Sequence, residues 1–427
     1  MQNPSLSSHL SPRLTRRSFL RTAAIGAAAS TLAGCGMLPT VSPDTDSSDD
    51  TMPAPTSAPH IAKTEWRAVW ISYLEWQSVD FSSESAFRSA VEQMLDNCVS
   101  LGLNTVIAQV RPFGDALYAS TLYPWSHLCT GTQGLAPAFD PLDILVTEAH
   151  ARGLSLEAWL NPYRLRLTTS VPPNLADTNL ANTHPEWVVA VENGLYLNPA
   201  ISEAADYVVR GVEELVQNYA VDGIHFDDYF YPTTDLSLDA EQFAASGAAD
   251  RSAWRRANVT TLVKAVHDAV KAADPTLRFG ISPQGNPDND LTQQYSDVSA
   301  WLTAEGDAAI VDYLCPQLYW GYHYTLQSGS QRFAFENISA EWLAMPRASE
   351  VSLCFGLGAW RIGDGDGGSN EDSISQWNTG ENLAQQVNDL RALGADGYAL
   401  YRYGSLFASA YPDTAAAECD ALRTANA

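Results

Sequence analysis

The sequence predicts an α/β fold, a (β/α)8 TIM barrel with enlarged βα loops, and three observations carry that prediction. Beyond residue 64, short β-rich runs alternate with amphipathic stretches eight times over roughly 340 residues, the rhythm of a parallel barrel. Several of those runs finish in polar or aromatic residues, as strands do when they open onto a barrel mouth. The glycine fingerprint that often accompanies a doubly wound open sheet, the competing architecture, is absent.

The elements follow in order. "RAVWISY" (67–73) is the first strand and precedes a helix near 84–101. "TVIAQV" (105–110) leads, through a loop, to the helix of "PLDILVTEAHARG". "LSLEAWLNP" (154–162) runs through a long loop to "EAADYVVRGVEELVQNY". "VDGIHFDDY" (221–229) is followed by a helix near 251–273, and "LRFGISP" (277–283) by a weaker one near 290–304. "VDYLCPQLYW" (311–320) and "VSLCFGLGAW" (351–360) each have helical material after them, and "DGYALYRYG" (396–404) closes the series. Residues 64–410 are assigned to the barrel and 411–427 to a C-terminal tail.

Side chains on a barrel strand alternate between the interior and the helix layer, which gives each residue an expected face. Ile224 and Phe226 are apolar and face helices, so His225 and Asp227 point inward. The same argument sends Glu157, Trp159 and Asn161 inward on the third strand, and Gln109 and Arg111 on the second. Gln317 and Tyr319 of the sixth strand join them, with Tyr401 of the eighth and Tyr403 beside it. Arg111, Asn161, Asp227, Gln317, Tyr319 and Tyr401 thus form a polar cup at the C-terminal mouth, where barrel enzymes keep their chemistry.

Asp227 is the leading candidate, either as a catalytic carboxylate or as a structural partner of Arg111. Asp228 points the other way by alternation. Two roles are open to it, a cap on the following loop or a second carboxylate at the same site. In the second case mutual repulsion raises one pKa and keeps a proton for general acid work. His225 sits one layer deeper and reads as an orienting hydrogen bonder, with Glu157 paired to it or to an arginine. "QVRPFGDALY" offers Arg111 as a clamp on substrate or carboxylate, and Asp115 as an acid, a ligand or a turn residue. "NPYR" (161–164) supplies Asn161, Tyr163 and Arg164, and Tyr229 follows the two aspartates. "PQLYWGY" adds Gln317, Tyr319 and Trp320, aromatics of the kind on which a sugar face stacks. "DGDGGSNED" (364–372) lacks EF-hand spacing, and no zinc spacing occurs, so neither a metal nor a cofactor is expected.

The N-terminus is read apart from the fold. "TRRSFLR" places Arg16 and Arg17 before a short apolar run, the shape of a twin-arginine export signal. The run ends in "LAGC" (32–35), which looks like a bacterial lipobox with Cys35 as the lipidated residue. Residues 36–63 are dominated by Pro, Ser, Thr and Asp and read as a flexible tether. The formal charge is −26; removing residues 1–35 takes away Arg13, Arg16, Arg17, Arg21 and no acid, giving −26 − 4 = −30. Such a chain is a poor partner for nucleic acid or for bare anionic lipid. Beyond Cys35 five cysteines remain, of which Cys315 and Cys354 lie in strand-like runs and read as packed thiols.

"EWRAVWISY", "LGLNTVIAQVRPFGDALYAS", "DPLDILVTEAHARGLSLEAWLNPYR", "HPEW", "VDGIHFDDYFYP", "FGISPQGN", "DYLCPQLYW" and "GADGYALYRY" together resemble the glycosyl-hydrolase-like 10 family, in order, from about 64 to 406. The resemblance implies an envelope-associated (β/α)8 glycosidase, commonly a lipoprotein, whose substrate class is peptidoglycan glycan strands stripped of peptides. Glu157 departs from it, standing where many relatives have a histidine. "DGIHFDDY" is also similar to the fourth-strand motif of chitinase-type barrels, with Asp222 and Asp227 keeping acids and His225 and Tyr229 replacing others. Tyr319 then matches the Tyr that steadies a substrate acetamide. The terminal Glu is lost, which leaves Asp228 or Asp115 to supply the proton. In amylase-type barrels the fourth-strand Asp is instead the nucleophile.

The resulting expectation is a membrane-tethered glycoside hydrolase, exported and lipid-anchored at the outer face of a bacterial cell membrane, acting on an amino-sugar polymer. Asp227 is its nucleophile or acetamide orienter. Two alternatives stand beside it: a metal-dependent polysaccharide deacetylase built on His225, Asp227 and Asp228, and a glycan-binding barrel without catalysis.

Overall fold

The computed structural model describes residues 64–427; the expected export segment, lipidation site Cys35 and tether lie outside them. Parallel strands β1 (Trp66–Ile71), β2 (Thr105–Arg111), β3 (Ser155–Leu160), β4 (Gly223–Phe226), β5 (Arg278–Ile281), β6 (Tyr313–Leu314 and Gln317–Leu318), β7 (Ser352–Leu357) and β8 (Gly397–Leu400) pair in sequence order. The ring closes where β8 pairs with β1, Trp66 against Gly397. β6 is in two pieces because Pro316, which has no N–H to give the ladder, sits between them; both pieces pair with β7.

Helices alternate with the strands: α1 (Glu84–Ser100), α2 (Pro141–Ala151), α3 (Ser202–Asn218), α4 (Arg251–Ala273), α5 (Val298–Thr303), α6 (Phe335–Leu343), α7 (Asn382–Ala392) and α8 (Pro412–Asn426). Their starts are written locally. Ser83, Asp140, Asp250 and Asp297 each accept a hydrogen bond from a first-turn N–H, and Pro141 follows Asp140 where a missing N–H is harmless. The weak helix expected near 290–304 is divided. A π-helical turn over Asp290–Gln294 ends at Tyr295, whose φ is 57°, before α5 begins.

Two apolar layers result. Val106, Ala108, Ile224, Phe226, Leu314 and Leu318 pack outward against the helices, while Trp66, Trp70, Ile107, Trp159, Tyr313 and Cys354 fill the barrel interior. The interior rings fit because small residues face them. A Cβ on Gly280 would run into the Tyr313 ring, and one on Gly356 would lie 3.0 Å from Trp70. All five described cysteines are buried and unpaired.

Three features differ from the sequence reading. The loop after β3 contains a small antiparallel sheet of Arg164–Arg166, Gly194–Leu197 and Val188–Val191. Residues 411–427 are no tail: α8 packs against α7, and its Asn426 accepts from Tyr398 Oη at 2.9 Å and donates to Leu101 O at 2.7 Å. β2 carries a bulge, since Gln109 is level with Trp159 but Arg111 with Leu160. One extra residue reverses the faces beyond it.

Candidate active site

β4 ends at Phe226, and the next two residues leave the strand. Asp227 is 5% exposed, with one carboxylate oxygen accepting from Asn161 Nδ2 and the other from Tyr229 N at 3.2 Å. Asn161, just past β3, is itself fixed: its Oδ1 accepts from Gln109 Nε2 and from Arg164 Nη2 at 3.0 Å. Arg164 is held by Pro112 O at 3.0 Å and ringed by Tyr73, Phe113 and Tyr229 at 5.9, 5.1 and 5.5 Å. Burial pushes the Asp227 carboxyl upward, opposed by the Arg164 charge and by these hydrogen bonds.

Asp228 does not point away. With the strand finished, alternation no longer governs it, and its Oδ1 accepts from Gln317 Nε2 at 3.1 Å. The Gln317 amide also donates to Ser282 O at 2.8 Å. Burial, and then the Asp227 charge, push the Asp228 carboxyl up to about 7. The two aspartates therefore share one site at the mouth, Asp227 buried and Asp228 half-buried, and their surroundings differ. Arg164 and the Asn161 amide favour an anion on Asp227, whereas among the described residues no cation pairs with Asp228, whose carboxyl is raised by burial and by the Asp227 charge.

Behind Asp228 the π-helical turn supplies a second wall. With its amide turned so that oxygen meets a donor, Gln294 accepts from Gln284 Nε2 at 2.9 Å and donates to Asp228 O at 3.0 Å. Asp290 is fully buried and accepts from Gln284 N at 2.8 Å, leaving its other oxygen without a partner among the described residues; burial raises its carboxyl well above the usual range. Neither Gln284 nor Asp290 stood out in the sequence, because a proline-rich loop gives no alternation to read.

One layer down, the tautomer of His225 follows from its partners. Trp70 Nε1–H can only donate, and it donates to His225 Nε2 at 3.2 Å, so that nitrogen is bare. Nδ1 then carries the proton and donates to Tyr313 Oη at 2.8 Å, and Tyr313 in turn donates to Glu157. Arg278 lies 3.5 Å from the other Glu157 oxygen. Burial, with Arg278 nearby, pulls His225 down to about 3, so it stays neutral. It orients the barrel's interior.

An aromatic wall lines the other side of the mouth. Tyr319 stacks on Tyr401 with centroids 5.5 Å apart, Trp70 meets Tyr401 edge-on, and Trp360 meets Tyr319 edge-on at 6.0 Å. Trp320 instead stacks on Phe333 at 5.0 Å. Tyr229, 41% exposed, covers Arg164 from outside.

Other predicted residues lie elsewhere. Arg111 is turned out of the cup by the β2 bulge. Its guanidinium lies 4.2 Å from the Tyr123 ring in the helix-facing core and donates to Asn161 O, so it clamps backbone and not substrate. Tyr163 is wholly buried in that same core, its hydroxyl without a partner among the described residues, so it offers substrate nothing. Asp115 is fully buried, bonded by Gln133 Nε2 at 2.9 Å with His127 3.5 Å away; its neighbours are not the two aspartates. Tyr403, expected inside, faces α1, where Asn97 Nδ2 donates to its hydroxyl at 2.7 Å.

The site's geometry can be set beside known proteins. The family profile described as "Glycosyl hydrolase-like 10" matches residues 65–368. Glycosyl hydrolase YngK of Bacillus subtilis (strain 168) is 34% identical over 353 residues, 77% of this chain, and the chain spans 66% of that protein's length. Glycosyl hydrolase DigH of Escherichia coli (strain K12) is 31% identical over 383 residues, 81% of this chain and 84% of DigH. Among solved structures, the PgaB (BpsB) glycoside hydrolase domain from Bordetella bronchiseptica superposes with a TM-score of 0.54 at 15% identity, over 84% of this chain and 99% of that one. Alpha-L-fucosidase isoenzyme 2 from Paenibacillus thiaminolyticus gives 0.52 at 15% identity, over 84% and 49%. At such identities these two speak for the barrel alone.

Proposed function

This chain belongs to the glycosyl hydrolase-like 10 family, and on that premise we propose that it hydrolyses glycosidic bonds in an amino-sugar polymer, peptidoglycan glycan strands freed of their peptides, while lipid-anchored through Cys35 at the outer face of a bacterial cell membrane. The observation that carries the reading is the adjacent pair of buried Asp227 and half-buried Asp228, both facing the barrel mouth, with the second raised to about 7. Glycoside hydrolysis needs a carboxylic acid that protonates the leaving oxygen and a carboxylate that stabilises the developing oxocarbenium ion.

Asp228 donates its proton to the glycosidic oxygen as the C–O bond breaks. Asp227, kept anionic by Arg164 and Asn161, either attacks the anomeric carbon or holds a substrate acetamide that does so. Water then closes the cycle, giving its proton back to Asp228 as its oxygen joins the sugar. Tyr319 and Tyr401 provide the flat faces against which sugar rings stack. The "LAGC" lipobox, the tether and the twin arginines support the anchored location. No described helix is long and apolar enough to cross a membrane.

A deacetylase would need His225 as a metal ligand, yet Nδ1 is spent on Tyr313 and Nε2 on Trp70 and Ser282. Mass spectrometry of peptide-free strands incubated with the domain, beside Asp227→Asn, tests the proposal. Shortened strands with wild type and intact ones with the variant are the expected result. Loss of acetyl mass without shortening would indicate the deacetylase, and binding without any change a barrel that only holds glycan.

A further inference from the structure

The loop leaving β7 carries Trp360 and Arg361, neither of which has a part in the hydrolytic step. Trp360 N donates to Tyr401 O at 3.0 Å, and Arg361 Nε donates to Tyr319 O at 3.1 Å. Both residues are therefore pinned to the aromatic wall of the mouth. The Arg361 guanidinium lies 3.7 Å from the centroid of the Trp360 ring, whose indole N–H has no acceptor among the described residues. Beyond Tyr319 its one further bond is a long one, Nη1 to Gly365 O at 3.4 Å; among the described residues Nη2 has none.

No carboxylate comes within ion-pairing distance of it among the described residues, whereas Arg402, whose backbone follows Tyr401 in the same wall, is paired with Glu75. The nearest acids are committed. Asp366 accepts from Gly321 N at 2.9 Å, Trp377 Nε1 at 3.1 Å and Gly368 N at 3.1 Å, and Asp364 from Tyr411 Oη at 2.7 Å. Arg361 is half-buried, and burial pulls its guanidinium down to about 10 against the opposing charges of Asp366 and Asp364, neither of which pairs with it directly. Its flat fork suits a carboxylate better than any neutral hydroxyl.

We propose that Arg361, seated on Trp360, is a specificity-determining residue that binds the free carboxylate of a sugar next to the bond being cut. The inference rests on the hydrolase reading and refines it. On a muramic residue the lactyl carboxylate is an amide while the peptide is attached and becomes an anion once the peptide is removed. Arg361 rewards the anion and leaves the amide facing a half-buried cation that it matches poorly. Selection for peptide-free strands is then a charge contact, and bulk is secondary to it.

The test compares peptide-free strands with the same strands whose carboxylates have been coupled to methylamine. Wild type is expected to show a KM about tenfold or more higher on the capped strands with kcat little changed, the pattern of lost uniform binding. In Arg361→Gln the KM on free strands rises to that level, so the preference collapses toward one. Arg361→Lys restores part of it, with a steeper loss in salt, and serves as the folded comparison if the Gln variant is unstable. Equal KM values for wild type on both substrates would overturn this inference while leaving the hydrolase intact. Variants that lose kcat equally on both would overturn it too, reducing Arg361 to a prop for Tyr319. Wild type cutting neither substrate would instead reject the hydrolase reading beneath it.

Discussion

Replacing Asp228 by Asn removes the proton that burial and Asp227 hold near neutrality. The expected fall in kcat is about 10²–10⁴-fold, the usual weight of general acid catalysis. The wild-type rate must also decline as pH rises through about 7, where Asp228 loses that proton, and this limb disappears from the variant's pH–rate profile. A wild-type profile flat from pH 6 to 9 would remove Asp228 as the acid. Tyr313→Phe probes a different layer. It strips Glu157 of a donor and His225 Nδ1 of an acceptor without changing shape, so it should cost about 1–3 kcal/mol in urea unfolding, with KM unmoved. Legibility at this scale depended on whether a residue belongs to a strand. His225 and Asp227 followed from the apolar Ile224 and Phe226 between and before them. Asp228 was assigned the wrong direction because β4 stops at Phe226, two residues before the end of the alternation argument.

Elements were legible where their apolar period is uninterrupted and opaque where a single residue shifts the phase. The strands and long helices follow from that period, but the β2 bulge does not, since "AQVR" reads the same with or without an extra residue. That slip moved Arg111 from the cup to the helix layer. The hairpin Val188–Leu197 escaped for a related reason: its two-residue turn is Glu192-Asn193, with Glu192 at φ 53°, a conformation a glutamate rarely signals. Helix packing yields a test in which two effects compete. Gly211→Ala in α3 gains up to about 1 kcal/mol of helix propensity, but the new Cβ would overlap the Tyr123 ring and hydroxyl, an overpacking that costs about 1–3 kcal/mol. The variant should be less stable on balance, as the urea midpoint will report. α8 is held at its end by Asn426, so Asn426→Ala should lower stability by about 1–3 kcal/mol, whereas the same change in a true tail would be silent.

For the molecule as a whole, buried acids outweigh the buried histidine. Asp228 and Glu418 both rise to about 7, and Glu157, Asp227 and Asp290 are raised as well, in each case chiefly by burial. Each binds its proton more tightly when folded, so its contribution is complete below the ordinary carboxylate range and is lost as pH climbs through the raised value. His225, depressed to about 3, works the opposite way, its contribution present above 6.5 and lost toward 3. A net charge of −26 adds repulsion that also grows with pH. Tm by calorimetry should therefore be higher at pH 5.5 than at pH 8; the reverse order would mean that these carboxyls are ionised in the fold. The same structure brings its two described ends together. Arg391 bonds both Glu65, at 2.7 and 2.9 Å, and Asn426, at 2.7 Å, and Arg67 reaches Asn426 O at 3.3 Å. That meeting lies at the N-terminal ends of β1 and β8, on the face opposite the aspartates. A fluorescent reporter fused after Ala427 would stand clear of incoming polymer. Splicing residue 427 to residue 64 by a short linker would give a circularly permuted chain, in which new ends could be opened at any exposed loop while the ring of strands stayed whole.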